Sequence, residues 1–162
     1  MLLTLAASSL RPLLKKGDSS LKMLDVPRFA MRELQLRGLN VPASMLAGMS
    51  LADFDRLRDA ADKEACPCLL LIGDEPMHFA GKPQQLDASL DLFQRLSTAA
   101  HRLGCNSMAI VCDSPDTEEA FERTAAGVKQ AMSSVERLDL NVLLMPFKGL
   151  AVDPIRLTEL IK

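Results

Sequence analysis

The side chains best suited to chemistry in this 162-residue sequence begin with a short acidic segment. Asp74 and Glu75 follow an apolar run at residues 68–73, and His78 comes three residues later. Carboxylate oxygens and imidazole nitrogens bind Mg²⁺, Mn²⁺ or Zn²⁺, and they also act as general acids and bases. A solvated polar loop is the plainer alternative, because two adjacent acidic residues point in different directions. We predict Asp74, Glu75 and His78 as candidate catalytic residues and assign no metal ligand.

Two more charged residues follow later apolar runs. Asp113 comes directly after residues 107–112, where a strand end would present a catalytic carboxylate. It also lies just before a predicted helix start, where the helix dipole favours an acid. Lys148 lies in the turn after residues 141–145, where it could bind a phosphate group or remain an exposed turn lysine. Asp113 is the fourth catalytic candidate, and Lys148 is the candidate substrate-binding residue.

The four cysteines show no paired C-x-x-C spacing: Cys66, Cys68, Cys105 and Cys112. A disulfide framework does not suit a chain this long and this apolar. We therefore predict reduced, buried thiols that pack as small hydrophobic groups. One zinc ion cannot bind all four, because Cys105 and Cys112 would lie roughly 20 Å apart along one strand. A site built from Cys66, Cys68 and Cys105, which would all lie at the entry ends of strands, is the weaker alternative.

Composition and missing motifs exclude several classes of protein. Nineteen basic residues face 21 acidic ones without a basic stripe, which argues against nucleic acid as a partner. The absence of Trp and Tyr argues against an aromatic stacking platform. No Walker A loop, G-x-G-x-x-G or G-x-S-x-G is present, so we assign no cofactor with confidence. The N-terminal apolar run lacks the positive region of a signal peptide, and no run reaches the ~20 residues of a membrane span. We predict a cytoplasmic protein with no membrane partner.

The elements that must position these residues alternate along the chain. Short apolar runs predict strands, and consecutive rather than alternate apolar residues indicate strands covered on both faces, as in parallel sheets. Pro42 weakens one of them, because proline removes a hydrogen-bond donor. The predicted strands are residues 2–7, 39–46, 68–73, 107–112 and 141–145.

Helix signals fill the intervals between these strands. Ser50 and Asp53 resemble a capping box, and Gly104 ends an amphipathic helix over residues 84–103. Ser-Pro at residues 114–115 and Asp-Pro at residues 153–154 are predicted helix starts. A vaguer helix covers residues 28–37, after a polar loop at 17–20, and His101 is interpreted as a polar helix-surface residue.

This order predicts one α/β domain, residues 1–162, built of about five βα units. Two architectures fit: part of a (β/α)8 barrel, or an open doubly wound parallel sheet. A complete barrel needs ~250 residues, so the sequence has about five of the eight units.

Three segments resemble the xylose-isomerase-like barrel superfamily, which includes sugar phosphate isomerases and epimerases. They are HRLGCNSMAIVCDSP, LDLNVLLMPFKGLAVDPIRLTELIK and LADFDRLRDAADKEACPCLLLIGDEP. In that family a helix ending in Leu-Gly-Cys runs into a strand, and a short strand leads to a Gly-Leu turn and an Asp-Pro helix start. The resemblance covers the chain from about Leu39 onward and implies a barrel with its active site at the carboxyl ends of the strands.

The resemblance also implies a divalent-metal-dependent isomerase or epimerase acting on a small sugar or sugar phosphate. In the family, one metal ligand comes from the end of the fifth strand and the rest from strands six to eight. The fifth-strand position falls on or near Pro146, whose side chain has no oxygen, and strands six to eight are absent from this sequence. We therefore predict a sugar phosphate isomerase/epimerase-like protein that is truncated, catalytically degenerate and inactive alone.

Two alternatives stay open. The chain could be a non-catalytic binding or interaction module that closes its sheet by dimerisation, because exposed sheet edges promote self-association. It could also be an active metal-dependent isomerase or epimerase that uses the acids after the third and fourth strands.

Overall fold

The computed structural model describes residues 3–14 and 21–161, and the polar loop predicted at residues 17–20 lies outside them. Strands and helices alternate through the described residues. In chain order they are β1 (Leu5–Ala6), α1 (Arg11–Leu14), α2 (Val26–Glu33), β2 (Leu39–Pro42), α3 (Leu51–Lys63), β3 (Cys68–Met77), α4 (Pro83–Arg102), β4 (Ser107–Cys112), α5 (Glu118–Ser133), β5 (Asn141–Met145) and α6 (Pro154–Glu159).

The five strands are parallel and form one sheet in the order β1-β2-β3-β4-β5. Leu5 of β1 lies opposite Leu39 of β2, and Val41 of β2 lies opposite Leu71 of β3. A doubly wound sheet reverses its strand order at a switch point, whereas neighbours in a barrel follow the chain. The sequential order confirms the prediction of five parallel βα units of the barrel type and removes the doubly wound alternative.

The chain divides into two compact units. The first runs to Ile72 and includes Ala99–Ser107. Its fully buried side chains come from strands and helices alike and include Leu39, Leu57 and Leu103. The predicted capping box is present at the start of α3, where the Ser50 hydroxyl and the Asp53 carboxylate each bind the other residue's backbone N–H.

The second unit comprises Gly73–Thr98 and the chain from Met108 onward. Phe79, Phe93 and Ile110 are among its fully buried side chains. Gly127 makes room for one of them, since a Cβ at that position would lie 2.8 Å from Cβ of Phe79. The end of β3, most of β4, all of β5 and the loops that follow them belong to this unit.

Three predicted strands match the structure less well than residues 107–112 and 141–145, which match β4 and β5. β3 continues four residues beyond Gly73, because the backbone N–H of Asp113 donates to the Met77 carbonyl at 2.9 Å and extends the pairing. β1 stops at Ala6, where a 3-10 turn begins and the Ser9 hydroxyl donates to the Ala6 carbonyl. The segment 39–46 divides after Pro42 into β2 and a second 3-10 turn.

Two predicted helix boundaries were wrong. Ser114 does not cap α5: its hydroxyl is buried at 2.7 Å from the Thr124 hydroxyl, and Thr117 caps the helix instead. The helix predicted over residues 28–37 is α2, which ends at Glu33, shortly before Gln35 turns to a φ of 56°. The predicted Asp153 cap is confirmed, since its carboxylate accepts from the Ile155 N–H at 2.8 Å.

All four cysteines are buried free thiols, as predicted. Burial raises the pKa of Cys68, Cys105 and Cys112 to about 12, which suppresses the reactive thiolate. The structure therefore supports their interpretation as packing residues. No helix in the described part of the chain has the length and apolar character needed to cross a membrane.

Candidate functional site

The carboxyl ends of β3 and β4 lie side by side in the second unit. Met77 is the last residue of β3, and its carbonyl accepts the N–H of Asp113, the residue that follows β4. This backbone bond continues the parallel pairing one step beyond β4. It therefore places His78 and Asp113 next to each other, each one residue past its own strand.

The turn after β5 pairs with the segment that follows β4. Ser114 and Gly149 form a parallel bridge, in which the Leu150 N–H donates to the Ser114 carbonyl at 3.1 Å. Gly149 has a φ of 66°, and a Cβ on it would overlap the Ser114 carbonyl oxygen. Only glycine fits this close approach without displacing the backbone. The bridge brings Lys148, the residue before Gly149, against Asp113.

Three predicted site residues come together here, and we name Asp113, Lys148 and His78 the strand-end triad. The Lys148 Nζ lies 3.0 Å from Oδ2 of Asp113, and the His78 Nδ1 lies 3.8 Å from the same oxygen. The Asp113 side chain is 22% exposed, so its charge is partly withdrawn from water. The Lys148 ammonium also lies 5.6 Å from the centre of the Phe147 ring, a cation–π arrangement.

A buried serine, Ser89, forms a hydrogen bond with the backbone of His78. The Ser89 hydroxyl accepts the His78 N–H at 2.8 Å and donates to the Gln85 carbonyl at 2.8 Å. Ser89 lies on α4 and is 4% exposed. Ser89 was not among the predicted site residues, because a serine inside an amphipathic helix gives no signal of such a role. Thr124 on α5, whose hydroxyl hydrogen-bonds to that of Ser114, was not predicted either.

Asp74 and Glu75 are placed differently from the prediction. Both are exposed residues within β3, not in the loop beyond it. Glu75 precedes His78 by three residues, and side chains an odd number of residues apart along a strand point to opposite faces, which does not favour one shared ion. Their catalytic role stays a prediction. His101 is exposed on α4, in keeping with its interpretation as a surface residue.

The residues present do not fit the divalent metal that the resemblance implies. β5 ends in Met145, and the exposed Pro146 and Phe147 follow it, so no hard oxygen ligand stands at its carboxyl end. Asp113, the carboxylate that follows the neighbouring strand β4, is already paired with the Lys148 ammonium. Within residues 3–14 and 21–161, no group of three or more His, Cys, Asp or Glu side chains could hold a metal ion.

The triad can do other chemistry. A carboxylate accepts hydrogen bonds from hydroxyl groups, and an ammonium donates to hydroxyl or carbonyl oxygens. The imidazole of His78 is 44% exposed, and its two ring nitrogens can take part in hydrogen bonds with a ligand. Such a mixed set of donors and acceptors at strand ends suits a small polyhydroxylated ligand.

By sequence, the chain matches no protein-family model and no curated protein. Solved structures do match its fold. L-ribulose 3-epimerase aligns with 99% of this chain and 56% of its own, at a TM-score of 0.76 and 11% identity. A xylose isomerase domain protein from Planctomyces limnophilus aligns with 98% of this chain and 57% of its own, at a TM-score of 0.68 and 10% identity. The IolI protein with a bound zinc atom aligns with 99% of this chain and 58% of its own, at a TM-score of 0.70 and 12% identity.

The fold is that of the xylose-isomerase-like TIM barrels. This confirms the fold that the resemblance implied. Identities of 10–12% support the fold and not an activity. The chain spans a little over half the length of each of these structures. The strand-end triad lies where ligands bind in this architecture, at the carboxyl ends of the parallel strands.

Proposed function

We propose that this sugar isomerase/epimerase-like chain binds a small sugar at the strand-end triad and lacks the metal-dependent turnover typical of the fold. The convergence of His78, Asp113 and Lys148 beyond three neighbouring strands is the observation that supports it. These residues are far apart in sequence, and the Ser114–Gly149 bridge and the Ser89 hydrogen bond each fix one of them. Such fixed polar groups favour a specific ligand over general solvation.

The ligand's hydroxyl groups would bind to Asp113, and Lys148 would donate to a neighbouring ring or carbonyl oxygen. The carboxylate is the stronger anchor, because its side chain is mostly shielded from water while that of Lys148 is 67% exposed. His78 would hydrogen-bond to a hydroxyl bound at Asp113, because its Nδ1 lies 3.8 Å from Oδ2 of Asp113. The proposed binding needs no divalent ion, in keeping with Pro146 at the position where the resemblance expects a ligand.

A sugar titration tests this proposal. We expect D-fructose to bind with a dissociation constant of about 1 mM, equivalent to about 4 kcal/mol, measured from shifts of backbone amide NMR signals. Asp113→Asn should weaken binding about tenfold, because a hydrogen bond to a charged group contributes about 1.5–3 kcal/mol. Lys148→Met should weaken it less, since its ammonium is more exposed. Addition of EDTA should leave the affinity unchanged.

Matched controls separate a local effect from a general loss of charge. Asp87→Asn and Lys129→Met remove the same charges from exposed positions on α4 and α5. Both should bind D-fructose as the wild type does. Equal affinities for Asp113→Asn and wild type, or no saturable binding to either, would contradict the proposal. Loss of binding in EDTA would contradict its metal-free part.

A second function, self-association through β5, has one specific observation in its favour. Within the described residues β5 has β4 as its only neighbour in the sheet. Five of the six β4 residues are buried, whereas no residue of β5 is. Leu143 on β5 is 46% exposed. A parallel strand of this composition is normally covered, so we propose that a second copy of the chain covers it.

A further inference from the structure

We infer that the strand-end triad selects neutral sugars and rejects phosphorylated ones. This inference rests on the proposed function, which left the charge of the ligand open. A phosphate ester needs either an uncommitted cation or a helix N-terminus with free N–H groups. Near the triad, Lys148 and the N-termini of α5 and α6 are groups of these two kinds, and each is already engaged.

The one cation of the triad is neutralised by its partner. Lys148 lies 3.0 Å from the Asp113 carboxylate, so the pair has no net charge. A phosphate that took Lys148 as its ligand would leave Asp113, a mostly shielded carboxylate, without its cation and beside a dianion. A neutral hydroxyl can bind to Asp113 while the ion pair remains intact.

The N-termini of α5 and α6, the helices after β4 and β5, are already capped by side chains of the protein. The Thr117 hydroxyl accepts the Ala120 N–H at the start of α5, and Glu118 and Glu119 occupy the first turn. The Asp153 carboxylate caps α6 in the same way, by accepting the Ile155 N–H. These acids use the positive end of each helix dipole that a phosphate would need.

The loops that follow β3, β4 and β5, together with the first turn of α5, are acidic overall. Residues 78–82, 113–119 and 146–153 contain five carboxylates against two lysines and one histidine. The nearest arginine along the chain, Arg156, is held by Glu118 at 2.9 Å and lies 3.9 Å from Asp116. A surface of this sign lowers the local concentration of anions and leaves neutral ligands unaffected.

A paired titration with D-fructose and D-fructose 6-phosphate tests the inference on the intact chain. At low ionic strength we expect the phosphate ester to bind at least about fivefold more weakly than the neutral sugar. In about 0.5 M salt the gap should narrow, because salt screens exposed charges beyond a few ångströms. Salt dependence separates charge repulsion from steric exclusion, which salt does not change.

A charge reversal gives a second readout. Glu119→Lys, in the first turn of α5, should tighten binding of D-fructose 6-phosphate about two- to threefold and leave D-fructose unchanged. Glu136→Lys makes the same change of net charge beyond the far end of α5, which lies about 20 Å from Glu119 at 1.5 Å per helical residue. It should alter neither affinity.

The outcomes distinguish this inference from the proposed function. Tighter binding of the phosphate ester than of the neutral sugar in the wild type overturns the inference and leaves sugar binding standing. A gap that does not respond to salt or to Glu119→Lys also overturns it. No saturable binding of either sugar removes both the proposed function and the inference.

Discussion

Gly149 is the residue on which the geometry of the triad depends most directly. Its φ of 66° lies in a region that L side chains rarely adopt, and its α-carbon passes against the Ser114 carbonyl. Both conditions follow from the bridge that joins the turn after β5 to the segment after β4. Lys148 precedes this contact by one residue, so the ammonium reaches Asp113 only while the bridge is formed.

Gly149→Ala should therefore destabilise the protein more than an ordinary substitution at a positive φ. Gly48→Ala is the matched control, because Gly48 also has a positive φ (83°) but open space around it. We expect Gly48→Ala to cost about 1–2 kcal/mol from backbone strain. Gly149→Ala should cost about 1–3 kcal/mol more, from overlap with the carbonyl. Urea midpoints of the three proteins measure the difference, and equal costs would show that the close approach is not maintained in solution.

Local signals at helix starts show what could be predicted at the scale of single elements. Ser50 and Asp53 formed the expected box, and Asp153 formed the expected cap, because these motifs depend only on residues two or three positions away. Ser114 had the same local appearance and was misassigned. Its hydroxyl contacts Thr124 on α5 and its backbone contacts Gly149, and both partners are set by tertiary structure.

The capping box of α3 also predicts a dependence of stability on pH. Hydrogen bonds from the Ser50 backbone and hydroxyl, and the nearby Arg56, hold the pKa of Asp53 below its usual value of 3.8. Because the unfolded state then binds the proton more readily, this stabilisation is present above about pH 4 and is lost as pH falls through the lowered pKa. Asp53→Asn should reduce the free energy of unfolding at neutral pH.

Urea titrations of wild type and Asp53→Asn between pH 2 and 7 measure this effect. The difference between the two proteins should be constant at neutral pH and shrink below pH 4. Asp59→Asn removes an exposed acid from the same helix without a role in its cap, and serves as the control. A difference that persists unchanged at the lowest pH would show that the charge of Asp53 contributes nothing to the cap.

At the scale of the whole molecule, the order of elements was more predictable than the site they build. Five apolar runs at the spacing of βα units were sufficient for the class of fold, and the resemblance selected the barrel type. Asp113 and Lys148 were predicted as separate candidates, and no sequence pattern indicated that they pair. Their contact depends on the sequential strand order, on the extension of β3 to Met77 and on the bridge between Ser114 and Gly149. These features come from long-range packing, which local periodicity does not encode.

The exposed edge of β5 leads to the last prediction, which concerns assembly. In the part of the chain that the structure describes, β5 has one neighbouring strand, and its Leu143 is 46% exposed. An unpaired edge with apolar side chains promotes strand pairing between chains. We expect the mass measured by light scattering to rise with concentration above the 17.7 kDa of one chain. Leu143→Lys should hold the mass at that of a single chain, because a charged edge resists pairing. Leu51→Lys, at a 50% exposed leucine that begins α3, should behave as the wild type does. A wild type that stays at 17.7 kDa at every concentration would rule out self-association through this strand.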